Sequence, residues 1–115
     1  MNQRVKKMGK KKFVPTPEEV EISRTRMPRQ GEVLGVVEMM LGGDKLRVIC
    51  DDGKTRICRI PGKMRKRVWI KPNDLVLVEP WQLQGDVRGD VVFCYRRTQA
   101  NWLNRKGFLK TISID

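Results

Sequence analysis

The sequence contains no histidine, the side chain that proteins use most often as a general base near neutral pH and as a metal ligand. Its three cysteines, Cys50, Cys58 and Cys94, form no Cys-x-x-Cys pair and have no fourth ligand, so they fit no zinc spacing and are interpreted as small core residues. A phosphate-binding P-loop is also missing, and turn chemistry explains most of the aspartates. We therefore expect no enzymatic activity, no metal and no cofactor.

Long apolar runs are missing as well. None approaches the roughly 20 residues that a membrane-spanning helix needs, and no signal-peptide hydrophobic region follows the basic N-terminus. The sequence thus predicts a soluble, cytoplasmic protein that does not enter a membrane. Aromatic residues number only seven, which disfavours a sequence-tolerant binder of single strands that stacks bases on exposed rings. We expect Trp69, Trp81 and Trp102 to be packing residues.

What the sequence does have is positive charge, concentrated in two segments. The formal charge is +12, of which residues 1–12 supply +6, residues 61–71 supply +5, and the other 92 residues only +1. The cations of the first segment are Arg4, Lys6, Lys7, Lys10, Lys11 and Lys12. Cationic charge confined to definable elements is typical of a protein that binds a polyanion, and nucleic acid is the partner it favours.

A chain of 115 residues predicts one domain, which we expect to be monomeric. Residues 1–26 read as a disordered basic tail with at most one helical turn after Thr16. Residues 27–97 hold the strand patterns. A short helix is predicted over 98–107, capped by Thr98 and ended by Gly107. Residues 108–115 read as a short C-terminal tail.

Five short strands are predicted, and the first, from Gln30, has Gly35 in its middle, which suggests a bend at a barrel corner. The other four cover residues 45–50, 54–60, 75–79 and 90–96, and the longest excursion lies between the third and the fourth. A bent first strand and this spacing predict an all-β fold, a five-stranded barrel of the OB type.

The turn Asp51-Asp52-Gly53 sets the register of the second and third strands. We favour a three-residue loop with a glycine bulge, because it gathers the apolar residues on one face: Leu46, Val48, Cys50, Cys58 and Ile60. In our interpretation this register leaves Arg47 and Arg59 directly opposite each other on the outer face. Such a like-charge pair is unfavourable unless a polyanion lies across it.

The densest basic run follows the third strand. Pro61-Gly62 ends that strand, and five cations follow with no carboxylate among them: Lys63, Arg65, Lys66, Arg67 and Lys71. An ordinary solvated loop mixes charges of both signs, so this loop favours binding of nucleic acid. Within it, Met64 fits a loop anchor better than a contact to a base. Residues 68–70 return the chain to a buried surface.

These residues resemble those of a known family. The segment Ile60-Pro61-Gly62-Lys63-Met64-Arg65-Lys66 resembles the Ile-x-Gly-Lys-(Met/Leu)-Arg-Lys signature of the translation initiation factor 1A proteins of archaea and eukaryotes, whose bacterial counterpart is initiation factor one. The resemblance extends over about Gln30 to Lys106. A basic tail without a long acidic C-terminal extension looks archaeal.

The resemblance implies an S1-like OB barrel that binds 16S-type ribosomal RNA at the decoding (A) site of the small ribosomal subunit. It also implies that the factor occludes this site and promotes placement of initiator tRNA and mRNA. In the family, the loop after the third strand enters the RNA minor groove. That role falls here to Lys63, Met64, Arg65, Lys66 and Arg67, with Arg65 foremost because a guanidinium binds phosphate bidentately. Other initiation factors, including the subunit-joining GTPase, are further implied partners.

Two alternatives to an initiation factor remain open from the residues themselves. One is a general RNA-binding or RNA-chaperone OB module, which uses the same fold. The other is a permanent structural protein of the ribosome, which the same basic surface would also suit.

Overall fold

The computed structural model of the protein describes residue 14, residues 16–66 and residues 68–114. Its strands are β1 (Val33–Gly42), β2 (Lys45–Cys50), β3 (Thr55–Arg59), β4 (Leu75–Pro80) and β5 (Arg88–Cys94). Its helices are α1 (Pro17–Ser23), α2 (Gly62–Arg65) and α3 (Arg97–Arg105). The predicted tail cations from Arg4 to Lys12, and Arg67, lie outside the described residues.

The five strands close into a barrel in the order β1-β2-β3-β5-β4. The pairing of β3 with β5 is parallel, whereas the other four pairings are antiparallel. A closed five-stranded barrel followed by a short helix is the OB architecture that the sequence predicts.

Two apolar clusters stabilise the barrel. The interior cluster contains mainly valine, isoleucine and cysteine side chains, among them Val37, Val48, Cys58, Ile60 and Val78. The second cluster lies outside the barrel wall, where Leu34, Leu75, Leu77 and Tyr95 meet Ala100 and Leu103 of α3. Because one face of β4 lines the interior and the other lies under α3, Leu75 to Val78 are all buried.

Gly35 lies where β1 passes very close to β2. A Cβ atom at this position would contact the Val48 side chain and lie 3.2 Å from the Ile49 carbonyl oxygen. Two residues further on, the register shifts after Val37, and all five remaining residues of β1 are exposed although Val37 is fully buried. β1 is therefore irregular just after Gly35, whereas the bend expected at Gly35 itself stays a prediction.

The β2–β3 hairpin has the three-residue loop, since Cys50 N–H donates to the Lys54 carbonyl at 2.8 Å. The predicted apolar set is buried on one side. The predicted opposition of Arg47 and Arg59 is wrong, because Ile49 pairs with Thr55 in this register. Arg47 consequently faces Ile57, and Arg59 faces Lys45.

Residues 17–26 differ from the predicted tail because they fold onto the barrel. Thr16 and Glu19 form a capping box, and α1 continues for seven residues, longer than the single turn expected. Gln99 Nε2 then donates to the Glu21 carbonyl at 2.8 Å, and the Tyr95 hydroxyl donates to the carbonyl of Arg26. These long-range hydrogen bonds were not readable from local patterns.

The C-terminal part is also tied to the barrel. α3 starts at Arg97, one residue before the predicted cap Thr98, while Gly107 ends it with a φ of 82° as its predicted role requires. The Asp51 carboxylate then accepts backbone N–H bonds from Lys110, Thr111 and Ile112 at 2.6 to 3.1 Å. Among the helices described here, none has the length and apolar character needed to cross a bilayer.

Candidate nucleic-acid interface

The basic run folds into a single helical turn, α2. The Pro61 carbonyl accepts from Met64 N–H at 2.9 Å and from Arg65 N–H at 3.1 Å, and the Met64 carbonyl in turn accepts from Val68 N–H. Gly62 does not have a positive φ, and no atom lies within 4 Å of the position a Cβ would occupy. Gly62 is therefore not needed here for a left-handed backbone conformation.

This turn is anchored to the barrel interior. Met64 and Val68 pack against the interior cluster, and Ile60 and Ile70 on either side are buried. The packing of Met64 agrees with the anchor interpretation. Because the loop backbone is anchored on both sides of the cations, by Ile60 before them and by Ile70 after them, the charged side chains project from a defined position.

We name Lys63, Arg65 and Lys66 the basic turn. All three residues are exposed. Within the part of the chain that the structure describes, no carboxylate oxygen lies within 4 Å of their charged nitrogens. The basic turn is thus a concentration of cations without a directly paired carboxylate among the described residues, which favours an anionic ligand.

Trp69 is 86% exposed, which contradicts its predicted packing role. Its neighbours Val68 and Ile70 turn inward, so Trp69 points outward. Trp102 does pack, with its ring centroid 6.3 Å from that of Phe108, and Trp81 donates its indole N–H to Asp90 at 3.0 Å. Alternation along residues 68–70 was the sequence signal that could have identified Trp69 as a surface residue.

Trp69 lines two hollows. The smaller, of about 400 Å³, is also lined by Met40, Arg65 and Pro72. The larger, of about 800 Å³, is also lined by Tyr95 and Arg97. An exposed indole with guanidinium groups lining the hollows on both sides can hold a nucleic-acid base by stacking and its phosphates by charge.

The other predicted contact residues lie on the outer face of the strands. Arg47 is 3.6 Å from a Glu38 carboxylate oxygen, and Arg59 is 3.3 Å from Asp90. Lys45, directly opposite Arg59, pairs with Asp44 at 3.3 Å. Such exposed ion pairs contribute little free energy, so a phosphate could replace the carboxylates. The like-charge pair expected on this face exists, but its members are Lys45 and Arg59.

Arg56 is a residue whose role the sequence did not indicate. It is 3% exposed, forms two hydrogen bonds with the Asp52 carboxylate at 2.9 and 3.1 Å, and donates through Nε to the Gly85 carbonyl. Burial lowers the pKa of this guanidinium, but the interactions with Asp52 and Cys50 together outweigh burial and raise the pKa above its usual range. Arg56 therefore stays charged and holds the β2–β3 turn against the loop between β4 and β5.

Burial of the three cysteines favours the thiol over the reactive thiolate. Burial raises the pKa of Cys58 to about 12 and that of Cys94 to about 11, so both are thiols at neutral pH. Among the described residues, no three side chains of the metal-donating types lie together as a metal site would require.

Comparison with known proteins adds a family match. The sequence profile of the family described as "Translation initiation factor 1A / IF-1" matches residues 18–114. The protein named "Translation initiation factor 1A" in Methanothermobacter thermautotrophicus is 54% identical over 90 residues, covering 78% of this chain and 91% of its own length. Its namesake in Methanopyrus kandleri is 57% identical over 88 residues, covering 76% and 78%.

One solved structure is also similar. It is the solution structure of translation initiation factor one from a Wolbachia endosymbiont of Brugia malayi, which is 30% identical and covers 58% of this chain and 79% of its own, with a TM-score of 0.46.

Proposed function

The chain belongs to the translation initiation factor 1A / IF-1 family, and from this membership we propose that it binds ribosomal RNA at the decoding (A) site of the small ribosomal subunit. Bound there, it occupies the volume that a transfer RNA would use and promotes placement of initiator tRNA and mRNA. This role needs no chemistry, only occupancy, which agrees with the high thiol pKa values and the lack of histidine.

The observation that carries the proposal is the anchored basic turn with no carboxylate partner among the described residues. Ordering a free, flexible loop would weaken binding, whereas this backbone is already fixed by Met64 and Val68. Arg65 is the foremost contact residue, because its planar guanidinium can bind a phosphate through two parallel hydrogen bonds.

Trp69 deepens the proposal by favouring a particular kind of RNA. The grooves of a regular RNA duplex offer no base face for stacking, while loops and bulges of folded RNA present unstacked bases. An exposed indole beside Arg65 therefore suits an irregular RNA site with a displaced base. Shape and one stacked base would supply the specificity that the phosphate contacts lack.

We further propose that the protein acts as a monomer in the cytoplasm, without a cofactor. Contact with another initiation factor, such as the subunit-joining GTPase, would use residues 108–114. In the structure this segment is hydrogen-bonded to Asp51. A partner factor would therefore bind the exposed side of the segment or displace the segment from the barrel.

The test is binding of the labelled full chain to isolated small ribosomal subunits, with single-stranded RNA as competitor. We expect saturable one-to-one binding that resists the competitor. Arg65→Ala should weaken binding to the subunits roughly tenfold or more, because the variant loses a charge-assisted hydrogen bond. Arg105→Ala, which removes an exposed arginine in the last turn of α3, is the matched control.

A general RNA-binding module is the second candidate, and the exposed indole of Trp69 is the observation that favours it. Equal affinity for loose single-stranded RNA, with no loss in Arg65→Ala, would establish this candidate and exclude the first. A structural protein of the ribosome would instead stay with the subunits through high-salt washing.

A further inference from the structure

The C-terminal segment extends to the hollow beside Trp69. Ile114 lines the larger hollow together with Trp69 and Arg97. It also packs against the second cluster, of which Tyr95 and Ala100 line the same hollow. The C-terminal segment therefore shares with the barrel and α3 the wall of the space next to the exposed indole, where the proposed RNA base would lie.

The Asp51 carboxylate holds this segment at the β2–β3 turn. It accepts backbone N–H bonds from Lys110, Thr111 and Ile112, and the Thr111 hydroxyl donates to the Asp51 carbonyl at 2.8 Å. Ile114 is only two residues beyond Ile112, so their Cα atoms can be at most about 7 Å apart. The hydrogen bonds of Asp51 therefore restrict where the Ile114 side chain can lie.

An apolar wall at this position favours binding of a base. A base stacked on Trp69 alone keeps its edges and its other face in water, whereas a base in a hollow with an apolar wall loses much of that exposure. Ile114 carries no charge, so its contribution to affinity comes from buried apolar surface and not from phosphate contacts. That contribution should be nearly independent of salt concentration, unlike that of the basic turn.

We propose that Asp51 is a positioning residue of the RNA site: it fixes the C-terminal segment so that Ile114 forms a wall of the larger hollow against the base stacked on Trp69. Because coupling between two equilibria is reciprocal, RNA in the hollow also stabilises the segment on Asp51. This inference rests on the proposed function, since it assigns two further residues to the same RNA site.

The experiment measures the affinity of the full chain for isolated small ribosomal subunits at several salt concentrations. Asp51→Ala frees the segment, whereas Ile114→Ser removes the wall and keeps the Asp51 hydrogen bonds. Each variant should weaken binding about fivefold without changing the salt slope. The loss of a negative charge alone would strengthen binding to RNA, so weaker binding by Asp51→Ala would report the freed segment.

Asp86→Ala and Ile49→Ser are the matched controls. The Asp86 carboxylate and the Ile49 side chain are exposed and line neither hollow. Ile49→Ser should bind as the unaltered chain does, and Asp86→Ala should bind equally or slightly more tightly. If Asp51→Ala does not fold, Ile114→Ser decides.

Two further readouts separate positioning from a general effect on stability. In the Trp69→Ala background, Asp51→Ala or Ile114→Ser should cause no further loss, because all three changes act through the same hollow. In hydrogen exchange followed by mass spectrometry, bound subunits should slow the amides of residues 110–112 about threefold or more in the unaltered chain but not in Trp69→Ala.

The proposal is overturned if Asp51→Ala and Ile114→Ser bind subunits as tightly as their controls. An equal loss with and without Trp69, or equal slowing of exchange in Trp69→Ala, would also overturn it, because the segment would then contact the subunit elsewhere. An unaltered chain that does not bind subunits would overturn the proposed function and this inference together. Binding that Arg65→Ala weakens and Ile114→Ser does not would overturn this inference alone.

Discussion

At the scale of single residues, Arg56 and Lys54 both connect the β2–β3 hairpin to the loop between β4 and β5, in different environments. Arg56 does so through its hydrogen bond to the Gly85 carbonyl, and Lys54 through its ion pair with Asp86. Arg56 is buried and Lys54 is about half exposed. We expect Arg56→Ala to lower the free energy of unfolding by about 2–4 kcal/mol, because it leaves Asp52 and the Gly85 carbonyl without their partner. Urea denaturation followed by tryptophan fluorescence would measure the loss.

Lys54→Ala is the control for this prediction. Exposed ion pairs contribute less than about 1 kcal/mol, so its unfolding curve should nearly coincide with that of the unaltered protein. Similar losses for the two variants would show that burial of Arg56 does not determine the contribution of its ion pair.

Trp69 gives a prediction in which binding and stability separate. Trp69→Ala should lower RNA affinity roughly tenfold or more, since a stacked base contributes about 1–3 kcal/mol. Thermal unfolding should be unchanged, because the indole is 86% exposed and stabilises no core. Titration with small subunits, followed by fluorescence anisotropy of a labelled chain, would measure the affinity.

Trp69→Phe is the companion variant and should retain most of the affinity, because a phenyl ring also stacks. A loss as large as that of Trp69→Ala would argue for an indole hydrogen bond instead. A lower melting temperature in either variant would mean that Trp69 contributes to packing after all.

At the scale of elements, Asp51 connects the β2–β3 turn to the C-terminal segment. Burial raises the pKa of this carboxyl, but the backbone N–H groups of Thr111, Ile112 and Lys110 outweigh it and hold the pKa below the usual 3.8. The stabilisation is therefore present above pH 3.8 and is lost as the pH falls through the lower pKa of the folded state.

We expect the amide protons of residues 110–112 to be protected at neutral pH and to lose protection when Asp51 is protonated. In Asp51→Asn, hydrogen exchange of these amide protons at neutral pH should be roughly tenfold faster. The acceleration corresponds to the loss of about 1–2 kcal/mol of charge-assisted hydrogen bonding. NMR exchange rates in α3 serve as the internal control. Equal acceleration throughout α3 would indicate general destabilisation instead of release of one segment.

The β1–β2 approach at Gly35 predicts the effect of a single methyl group. Gly35→Ala should lower stability by about 1–3 kcal/mol, because the new Cβ atom would press on the Val48 side chain and the Ile49 carbonyl. Gly62→Ala, at a position with open space and no positive φ, should change stability little. Calorimetric melting of both variants would decide, and a stable Gly35→Ala protein would mean that β1 can shift.

Several elements were predictable because their signals are local. Alternating apolar residues located β2 and β3, a continuous apolar run located β4, and Gly107 correctly ended α3. The N-terminal part was not predictable, because its hydrogen bonds to the rest of the fold join residues that lie far apart in the sequence. The two separations are 69 and 78 positions. The basic turn was identified by composition, but its helical form depends on packing of Met64 against distant strands.

At the scale of the whole molecule, the excess of cations predicts how RNA binding depends on salt. The basic turn, part of the basic N-terminal segment and the strand-face arginines would neutralise about five to eight phosphates, so log affinity should fall with log salt concentration at a slope of roughly −4 to −7. Removing Lys63 and Lys66 together should make the slope less steep by about 1 to 2. A slope near zero would contradict phosphate binding by these cations.

The site was less predictable than the barrel for a physical reason. Charge is visible in the composition, whereas the orientation of Trp69 and the partner of Arg59 depend on strand register and on which side chains face inward. A shift of the register by one residue exchanges the inward and outward faces. The family resemblance indicated the basic turn as the candidate for RNA contact.

Closure of the barrel sets the order in which the chain can assemble during its synthesis. β1, β2 and β3 are consecutive and can pair as a meander early, but one edge of β1 and one edge of β3 stay unpaired until β4 and β5 have been synthesised. β4 then pairs with β1, as in Leu75 with Val36, and β5 pairs with β3, as in Arg88 with Ile57. Unpaired edges promote aggregation of nascent chains. The cations of the basic turn come soon after β3, and their mutual repulsion opposes association of neighbouring nascent chains through these edges.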